Sequence, residues 1–258
     1  MLKEARDAAG LTQEEAGRRL GKSQPWMHRI EAGTRKVQAA DMRELLELYD
    51  PAQELRDRLD LRTTPGAAPA GFSPNLAFLE MKRLAPEAFE ILLLQSERLA
   101  MELQADQYTL LQYQKAGDPI GQDDLLVEKR SRERVITGDN PPYYRAILSE
   151  SSLWRMPGGS DSLIKQQAEH LLMLIETYPR FSLQVLHKEA DISFMDSDLT
   201  VLKFERRSRN MVYIPFGLDG RLLKDKDKVE ERENYWSEIQ QAALDVEKSR
   251  KFIHELTR

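Results

Sequence analysis

Apolar residues in the first fifty positions recur at intervals that suit short amphipathic helices. On such a helix, apolar residues return about every three or four positions along one face. The positions that carry this pattern are Leu11, Ala16, Leu20, Met27 and Ile30, followed by Met42, Leu45, Leu46 and Leu48. The pattern predicts several short helices packed together over residues 1–62.

The helical pattern is interrupted by "TTPGAAPAGFSPN" at residues 63–75. This stretch is rich in Pro, Gly and Ala and contains no charged residue, which is typical of a linker. The sequence therefore predicts two domains, one over residues 1–62 and one over residues 76–258.

The second domain combines helical and strand-like patterns. Amphipathic stretches predict helices at about 87–104, 123–136 and 161–177, and the C-terminal stretch predicts two helices separated near Asp245. Short segments rich in aromatic and β-branched residues predict four strands: Tyr143–Ser149, Phe181–His187, Leu199–Phe204 and Met211–Phe216. The expected fold class is α+β: an N-terminal all-α domain, then a larger α+β domain with a small sheet of about four strands and C-terminal helices.

One segment near the N-terminus contains the signals of a helix-turn-helix. Thr12 and Glu15 have the spacing of a capping box, so a helix should begin after Thr12. Gly21 permits the positive φ of a sharp turn, and Ser23 is a suitable N-cap for a second helix that ends at Gly33. Two short helices joined by such a turn pack at a steep angle, as in a helix-turn-helix.

Composition limits the classes to which the chain can belong. With 41% apolar and 31% charged residues, the 258-residue chain is expected to be globular. The absence of cysteine excludes disulfides and thiolate metal sites and fits a reducing cytoplasm. No run approaches the roughly 20 apolar residues of a membrane helix, and the N-terminus lacks the pattern of a signal peptide. We therefore expect a cytoplasmic protein without a membrane segment.

Charge is distributed unevenly along the chain. The whole sequence has a net charge of −5, whereas residues 1–36 contain eight basic and five acidic groups. The first segment is therefore positively charged within an acidic protein, which suits contact with phosphates.

The helix-turn-helix segment resembles the phage-repressor-like (XRE/Cro-C1) family. The resemblance rests on Leu-Thr-Gln at 11–13, on Glu15 and Gly21, and on Ile-Glu-x-Gly at 30–33. It implies a lambda-repressor-like fold that binds double-stranded DNA, with the second helix as the recognition helix in the major groove.

The resemblance also implies roles for individual residues. Gln13 should touch a phosphate, and Gln24 should be able to bind adenine through two hydrogen bonds. Trp26, His28 and Arg29 should lie along the groove, and Lys22, Arg35 and Lys36 should lie against the DNA backbone. Ser23, the N-cap of the recognition helix, is also an expected DNA contact. Two residues depart from the family pattern: Gly17 replaces the usual Ala, which costs the helix roughly 1 kcal/mol, and Trp26 is unusual at its position.

Residues 90–256 resemble the C-terminal domain of unknown function that follows such modules in actinobacterial regulators of the WhiJ-like, antitoxin-like group. The resemblance rests on several short segments that follow one another in the same order as in the family. Two of them are "ILSESSLWRMPGG" at 147–159 and "AALDVEKSRKFI" at 242–253. It implies a domain that controls the DNA-binding domain, either as a sensor or by docking a partner. Relatives are often encoded beside a small acidic protein, and regulators of this type commonly form homodimers.

Three functions are open at this stage. The first is a homodimeric transcription regulator that binds double-stranded DNA and is controlled by its C-terminal domain. The second is an antitoxin-like interaction module that binds a small acidic protein and regulates its own expression. The third is a regulator that senses a small molecule.

Catalysis is not expected. Glu150 between Ser149 and Ser151 has the residue types of a base and a nucleophile, but no G-x-S-x-G elbow is present. The scattered histidines do not have the spacing of metal ligands: His28, His170, His187 and His254. We therefore expect no enzyme activity, no cofactor and no metal.

Overall fold

The computed structural model describes most of the chain. Its described residues are 2–31, 37, 39–50, 76–117, 120–193, 195–216 and 219–258. The chain divides into two compact units, Met1–Ala67 and Ala68–Arg258. The predicted linker at 63–75 lies outside the described residues, as do two of the expected DNA contacts, Arg35 and Lys36.

The regular secondary structure in the described part of the first unit is all helical, as predicted. Its described helices are α1 (Leu2–Ala8), α2 (Gln13–Arg19), α3 (Gln24–Glu31) and α4 (Ala39–Tyr49). The centre of the unit is formed by Ala16, Met27, Met42 and Leu45, each at most 1% exposed. All four helices contribute apolar side chains to this single core, which therefore holds α2 and α3 against α1 and α4.

The second unit contains both helices and strands. Its described helices are α5 (Leu76–Leu84), α6 (Asp106–Ala116), α7 (Gln122–Thr137), α8 (Glu150–Trp154), α9 (Asp161–Thr177), α10 (Lys226–Ala242) and α11 (Val246–Glu255). Its described strands are β1 (Glu90–Gln95), β2 (Tyr143–Ser149), β3 (Phe181–Leu186), β4 (Leu199–Lys203), β5 (Met211–Phe216) and β6 (Asp219–Leu223). The four predicted strands are confirmed as β2 to β5, and the helices predicted at 123–136, at 161–177 and on either side of Asp245 are also confirmed.

The strands form one mixed sheet with the order β3-β2-β1-β4-β5-β6. β1, β2 and β3 run parallel to one another, and the connections between them contain α7 and α9. β4, β5 and β6 continue the sheet from β1 as antiparallel strands. The expected sheet of about four strands is therefore corrected to one of six strands.

The predicted helix at about 87–104 is wrong, because its central part is β1 in the middle of the sheet. Ile91 and Leu93 pack into the core on one face of the sheet, and Leu92 and Leu94 pack into the core on the other face. A strand covered on both faces has a continuous apolar run, and such a run cannot be distinguished from a buried helix by its periodicity.

Helices cover both faces of the sheet. The core on one face includes Ile136 of α7, Leu171 of α9 and Ile253 of α11. On the other face, α10 contributes Trp236 and Ile239. Helices on both faces bury the central strands, as a parallel arrangement requires. Across the described ranges, we find no helix with the length and apolar character needed to span a membrane.

Candidate nucleic-acid interface

The α2–turn–α3 segment has the local geometry that its sequence predicts. The Glu15 N–H donates to the Thr12 hydroxyl, and the Thr12 N–H donates to the Glu15 carboxylate at 2.8 Å, which completes the capping box. Gly21 has a φ of +63°, a left-handed conformation that glycine adopts without a steric penalty. The Trp26 N–H donates to Ser23 Oγ at 3.3 Å, so Ser23 caps α3. These contacts fix where α2 begins and where α3 begins.

The two helices approach each other closely at Gly17. A Cβ at this position would lie 2.7 Å from the backbone oxygen of Lys22 and 3.3 Å from Met27 Cγ. The Lys22 N–H donates to the Gly17 carbonyl at 2.8 Å, which closes the turn at the same place. This departure from the family pattern therefore has a packing role that offsets the low helix propensity of glycine.

One face of α3 lies in the core and the other lies in solvent. Met27 is fully buried, and Ile30 and Trp26 are only 4% and 8% exposed. The exposed residues of this segment include Ser23, Gln24, His28 and Arg29. The expectation that Trp26 lies along the groove is therefore corrected, because its indole belongs to the core of the unit. The remaining exposed Gln and Arg are side-chain types that read base edges.

Lys22 is held beside the start of α3. Its ammonium forms an ion pair with Asp41 of α4 at 2.5 Å and lies 5.2 Å from the ring centroid of Trp26. The Lys22 and Asp41 side chains are 30% and 20% exposed. The expected contact between Lys22 and the DNA backbone would therefore have to compete with an existing ion pair.

A buried ion pair joins α1 to the end of α3. Arg6 Nε donates to Glu31 Oε1 at 2.7 Å, and Arg6 Nη2 donates to Oε2 at 3.1 Å. The two side chains are 8% and 4% exposed. Burial alone would raise the pKa of Glu31, but the hydrogen bonds from Arg6 and Gln13 outweigh burial and lower this pKa. The hydrogen bond to Glu31 raises the pKa of Arg6, so both groups are ionised at neutral pH.

Gln13 is the third member of this cluster. Its Nε2 donates to Glu31 Oε2 at 2.8 Å. An amide nitrogen carries two hydrogens, so the second remains available for another acceptor. Glu31 thereby fixes the orientation of the side chain for which a phosphate contact is expected. No role was predicted for Arg6 or Glu31 from the sequence. The available signal was that Arg6 lies among the inward-facing Leu2 and Ala5 of α1.

Comparison with protein families covers both units. A family described as a helix-turn-helix domain matches residues 1–59. A second family, described as a domain of unknown function (DUF5753), matches residues 78–255, which is more than half of the chain. The chain belongs to the DUF5753 family. It joins a helix-turn-helix domain, which is typical of DNA-binding regulators, to a C-terminal DUF5753 domain. No curated protein and no solved structure matches the chain.

In the DUF5753 domain, polar residues meet where the parallel strands β1, β2 and β3 end. Ser151 Oγ donates to the Ser96 carbonyl at 2.8 Å. The Lys188 N–H donates to Glu150 Oε2 at 2.9 Å, and His187 Nε2 lies 3.4 Å from the same oxygen. Within the described part of the domain, His187 makes no hydrogen bond to a serine hydroxyl, whereas a nucleophilic serine needs a base within reach. These contacts connect the ends of neighbouring strands.

A second polar cluster of the DUF5753 domain lies between α6, α7 and α9. The Lys129 side chain is 2% exposed, and its ammonium lies 3.0 Å from Asp106 and 3.3 Å from Glu133. His170 Nε2 is buried without a hydrogen-bond partner among the described residues. Burial, together with the Lys129 charge, lowers the pKa of His170 to about 4. The ring is therefore neutral at pH 7, and its 3.4 Å approach to Glu133 is not an ion pair.

Proposed function

We propose that this DUF5753 protein is a cytoplasmic transcription regulator that binds double-stranded DNA sequence-specifically, with α3 in the major groove. The observation that carries the proposal is the division of α3 into two faces. Met27, Ile30 and Trp26 anchor the helix in the core, whereas Gln24 and Arg29 are exposed on the other side. A recognition helix needs this arrangement, because its polar face must reach base edges while its apolar face holds the domain together.

Gln24 and Arg29 provide the chemistry of base recognition. A glutamine amide matches the paired donor and acceptor of adenine, and a guanidinium matches the two acceptors of guanine. Gln24 is the first residue of α3, and the N-terminal residues of a recognition helix are those that contact bases. Arg29 Nε donates to the Pro25 carbonyl at 3.2 Å, which holds the guanidinium along the helix. Gln13, oriented by Glu31, is suited to contact a phosphate at the edge of the groove.

We infer that the DNA-binding form is a homodimer. One short recognition helix reads a single half-site, and regulators of this kind gain specificity by reading two half-sites about 34 Å apart. The role proposed for the DUF5753 domain is to control whether two helix-turn-helix domains can occupy both half-sites.

The decisive experiment measures DNA binding by the full chain. A binding site is first selected from random duplexes, and affinities for this site and for unrelated DNA are then compared at fixed salt. Gln24→Ala and Arg29→Ala are each expected to weaken specific binding by about 1–3 kcal/mol and to leave binding to unrelated DNA nearly unchanged. Gln107→Ala and Arg130→Ala are matched controls, because both side chains are exposed on the DUF5753 domain. Failure to select any sequence, or equal affinities of wild type and both α3 variants, would contradict the proposal.

Two other roles rest on the resemblance of the C-terminal domain to the antitoxin-like group. In one, the DUF5753 domain binds a small acidic protein and the helix-turn-helix serves autoregulation. In the other, the domain senses a small molecule. Purification from the native host distinguishes the first of these, since a stoichiometric small acidic partner would accompany the chain. A non-catalytic role is part of all three proposals.

A further inference from the structure

A groove of about 650 Å³ opens at the amino ends of β1 and β2 in the second unit. It is bounded by the segments that lead into β1, β2 and β3 and by the segment that follows β4. Its volume lies within the ~300–1,000 Å³ that small-molecule sites commonly have. The polar clusters described above lie elsewhere, and the described residues that line the groove all belong to the second unit.

Arg180 lines the groove with a guanidinium that is fixed on one side only. Its Nη1 donates to Asn140 Oδ1 at 2.8 Å and to the Pro141 carbonyl at 2.7 Å. Its charged group lies 5.4 Å from the ring centroid of Tyr143. These contacts leave Nε and Nη2 without an acceptor in the described residues, and together they form the two-donor edge that pairs with a carboxylate or phosphate. Arg180 is therefore oriented before any ligand arrives.

Two further arginines follow β4 in the groove lining. Arg209 is paired with Glu87 at 2.7 Å, so its charge is largely compensated. The Arg206 side chain is exposed, and its guanidinium makes no hydrogen bond or ion pair with any described residue. The lining also contains Glu205, which opposes an anion. The balance of charge in the lining still favours an anion, because Arg180 and Arg206 both lack a carboxylate partner among the described residues.

The groove also presents aromatic surface. Phe89 and Tyr143 are 43% and 52% exposed, which is unusual for side chains of this size. Both residues line the groove, and their backbones are neighbours at the start of β1 and β2, where the Tyr143 N–H donates to the Phe89 carbonyl at 2.9 Å. Tyrosine and arginine are enriched among the residues that dominate binding energy at protein interfaces, and an aromatic ring offers a large flat surface to a ligand.

We propose that this groove binds an organic anion: a flat apolar body that bears a carboxylate or phosphate. The anionic group pairs with the free edge of Arg180 and with Arg206, and the body packs against Phe89 and Tyr143. Such a site rests on the small-molecule role proposed for the DUF5753 domain and specifies its ligand class. The proposal that α3 binds DNA does not depend on the existence of this site.

The test uses the full chain without DNA, so that its failure leaves the DNA-binding proposal untouched. Calorimetric titrations use 4-hydroxybenzoate for the carboxylate and adenosine 5′-monophosphate for the phosphate. Neutral 4-hydroxybenzamide and adenosine serve as ligand controls. We expect at least one anion to bind with a Kd of about 1 mM or lower, and its neutral counterpart to bind at least about tenfold more weakly, as the loss of a charge-assisted bond implies.

Three variants locate the binding. Arg206→Gln is expected to weaken binding of the anion by about tenfold, and Glu205→Gln to tighten it, because the lining then loses its opposing charge. Arg207→Gln is the matched control, since Arg207 is exposed on the same turn but does not line the groove. Absence of binding by both anions, equal binding of the neutral compounds, or equal effects of Arg206→Gln and Arg207→Gln would each overturn the proposal.

Discussion

The Arg6–Glu31 pair allows a direct test of how the helix-turn-helix is held together. Glu31→Gln preserves the shape of the side chain and removes its charge, whereas Arg6 remains charged with its side chain 8% exposed. Asp7, 2.7 Å from Arg6 but 52% exposed, compensates only part of that charge. Removal of one partner of a buried pair typically costs about 3–5 kcal/mol, and the contact with Asp7 places the expected loss near 3 kcal/mol.

This loss is large for a unit of this size. At about 0.05–0.15 kcal/mol per residue, a domain of some sixty residues has a total stability of about 3–9 kcal/mol. Hydrogen–deuterium exchange of the full chain, read by mass spectrometry, reports the opening free energy of α1 to α4 separately from the DUF5753 domain. Glu14→Gln is the control, because Glu14 is exposed on α2 and its substitution should change stability by less than about 0.5 kcal/mol. Unchanged protection of α1 and α3 in Glu31→Gln would refute the reasoning.

A double variant separates the stabilising role of the pair from its role in positioning Gln13. Replacement of a buried ion pair by apolar residues of similar volume is often neutral or stabilising, so Arg6→Met with Glu31→Leu should recover most of the lost stability. The amide of Gln13 would nevertheless lose the acceptor that holds it at 2.8 Å. Affinity for DNA should therefore remain below that of the wild type, and full recovery of binding would show that Glu31 does not position Gln13.

Two further predictions concern single sites. Gly17→Ala should lower the free energy of unfolding by about 1 kcal/mol, measured by thermal unfolding. A Cβ at this position would lie 2.7 Å from the Lys22 backbone oxygen, so the turn must shift, and the cost of that shift exceeds the gain in helix propensity. Arg18→Ala is the exposed-site control, and a Gly17→Ala variant more stable than this control would contradict the prediction. Folding lowers the pKa of His170 from 6.5 to about 4. Between pH 6.5 and about pH 4 the unfolded state therefore binds more protons than the folded state, and the free energy of unfolding falls on acidification by up to about 3 kcal/mol. The free energy of unfolding is measured in urea at roughly pH 7 and pH 4.5. His170→Gln should remove the part of the acid-induced loss that His170 causes, and an unchanged pH dependence would show that His170 does not cause it.

Local signals were sufficient to predict where α2 and α3 begin. The capping box of Thr12 and Glu15, the φ of Gly21 and the cap at Ser23 are all confirmed, because each depends on residues within one turn of chain. The predicted position of Trp26 was wrong, because the buried face of α3 is wider than the spacing of Met27 and Ile30 indicated. Trp26, Met27 and Ile30 together form the inward stripe of α3, whereas the sequence alone indicated only Met27 and Ile30.

The errors in the second unit arise from tertiary context. β1 was interpreted as part of an amphipathic helix because Ile91 to Leu94 form an apolar run, whose periodicity does not distinguish a strand from a helix. Its central position in the sheet, buried on both faces, makes it a strand. The sequence does not predict β6, since Asp219–Leu223 is short and contains Gly220. Arg6 and Glu31, separated by 25 positions, could not be paired from spacing, because the packing of α1 on α3 brings them together.

The ion pairs of the first unit also change the interpretation of its charge. Residues 1–36 contain three more basic than acidic groups, but two of the basic groups are occupied internally. Glu31 neutralises Arg6, but this acidic group is already counted in that difference. Asp41 lies outside the segment and neutralises Lys22, which lowers the excess by one. The positive charge left for phosphates is therefore smaller than the sequence suggests. Because non-specific affinity grows with the number of phosphates neutralised, each cation that is paired internally shifts the free energy of binding towards base contacts and a second copy.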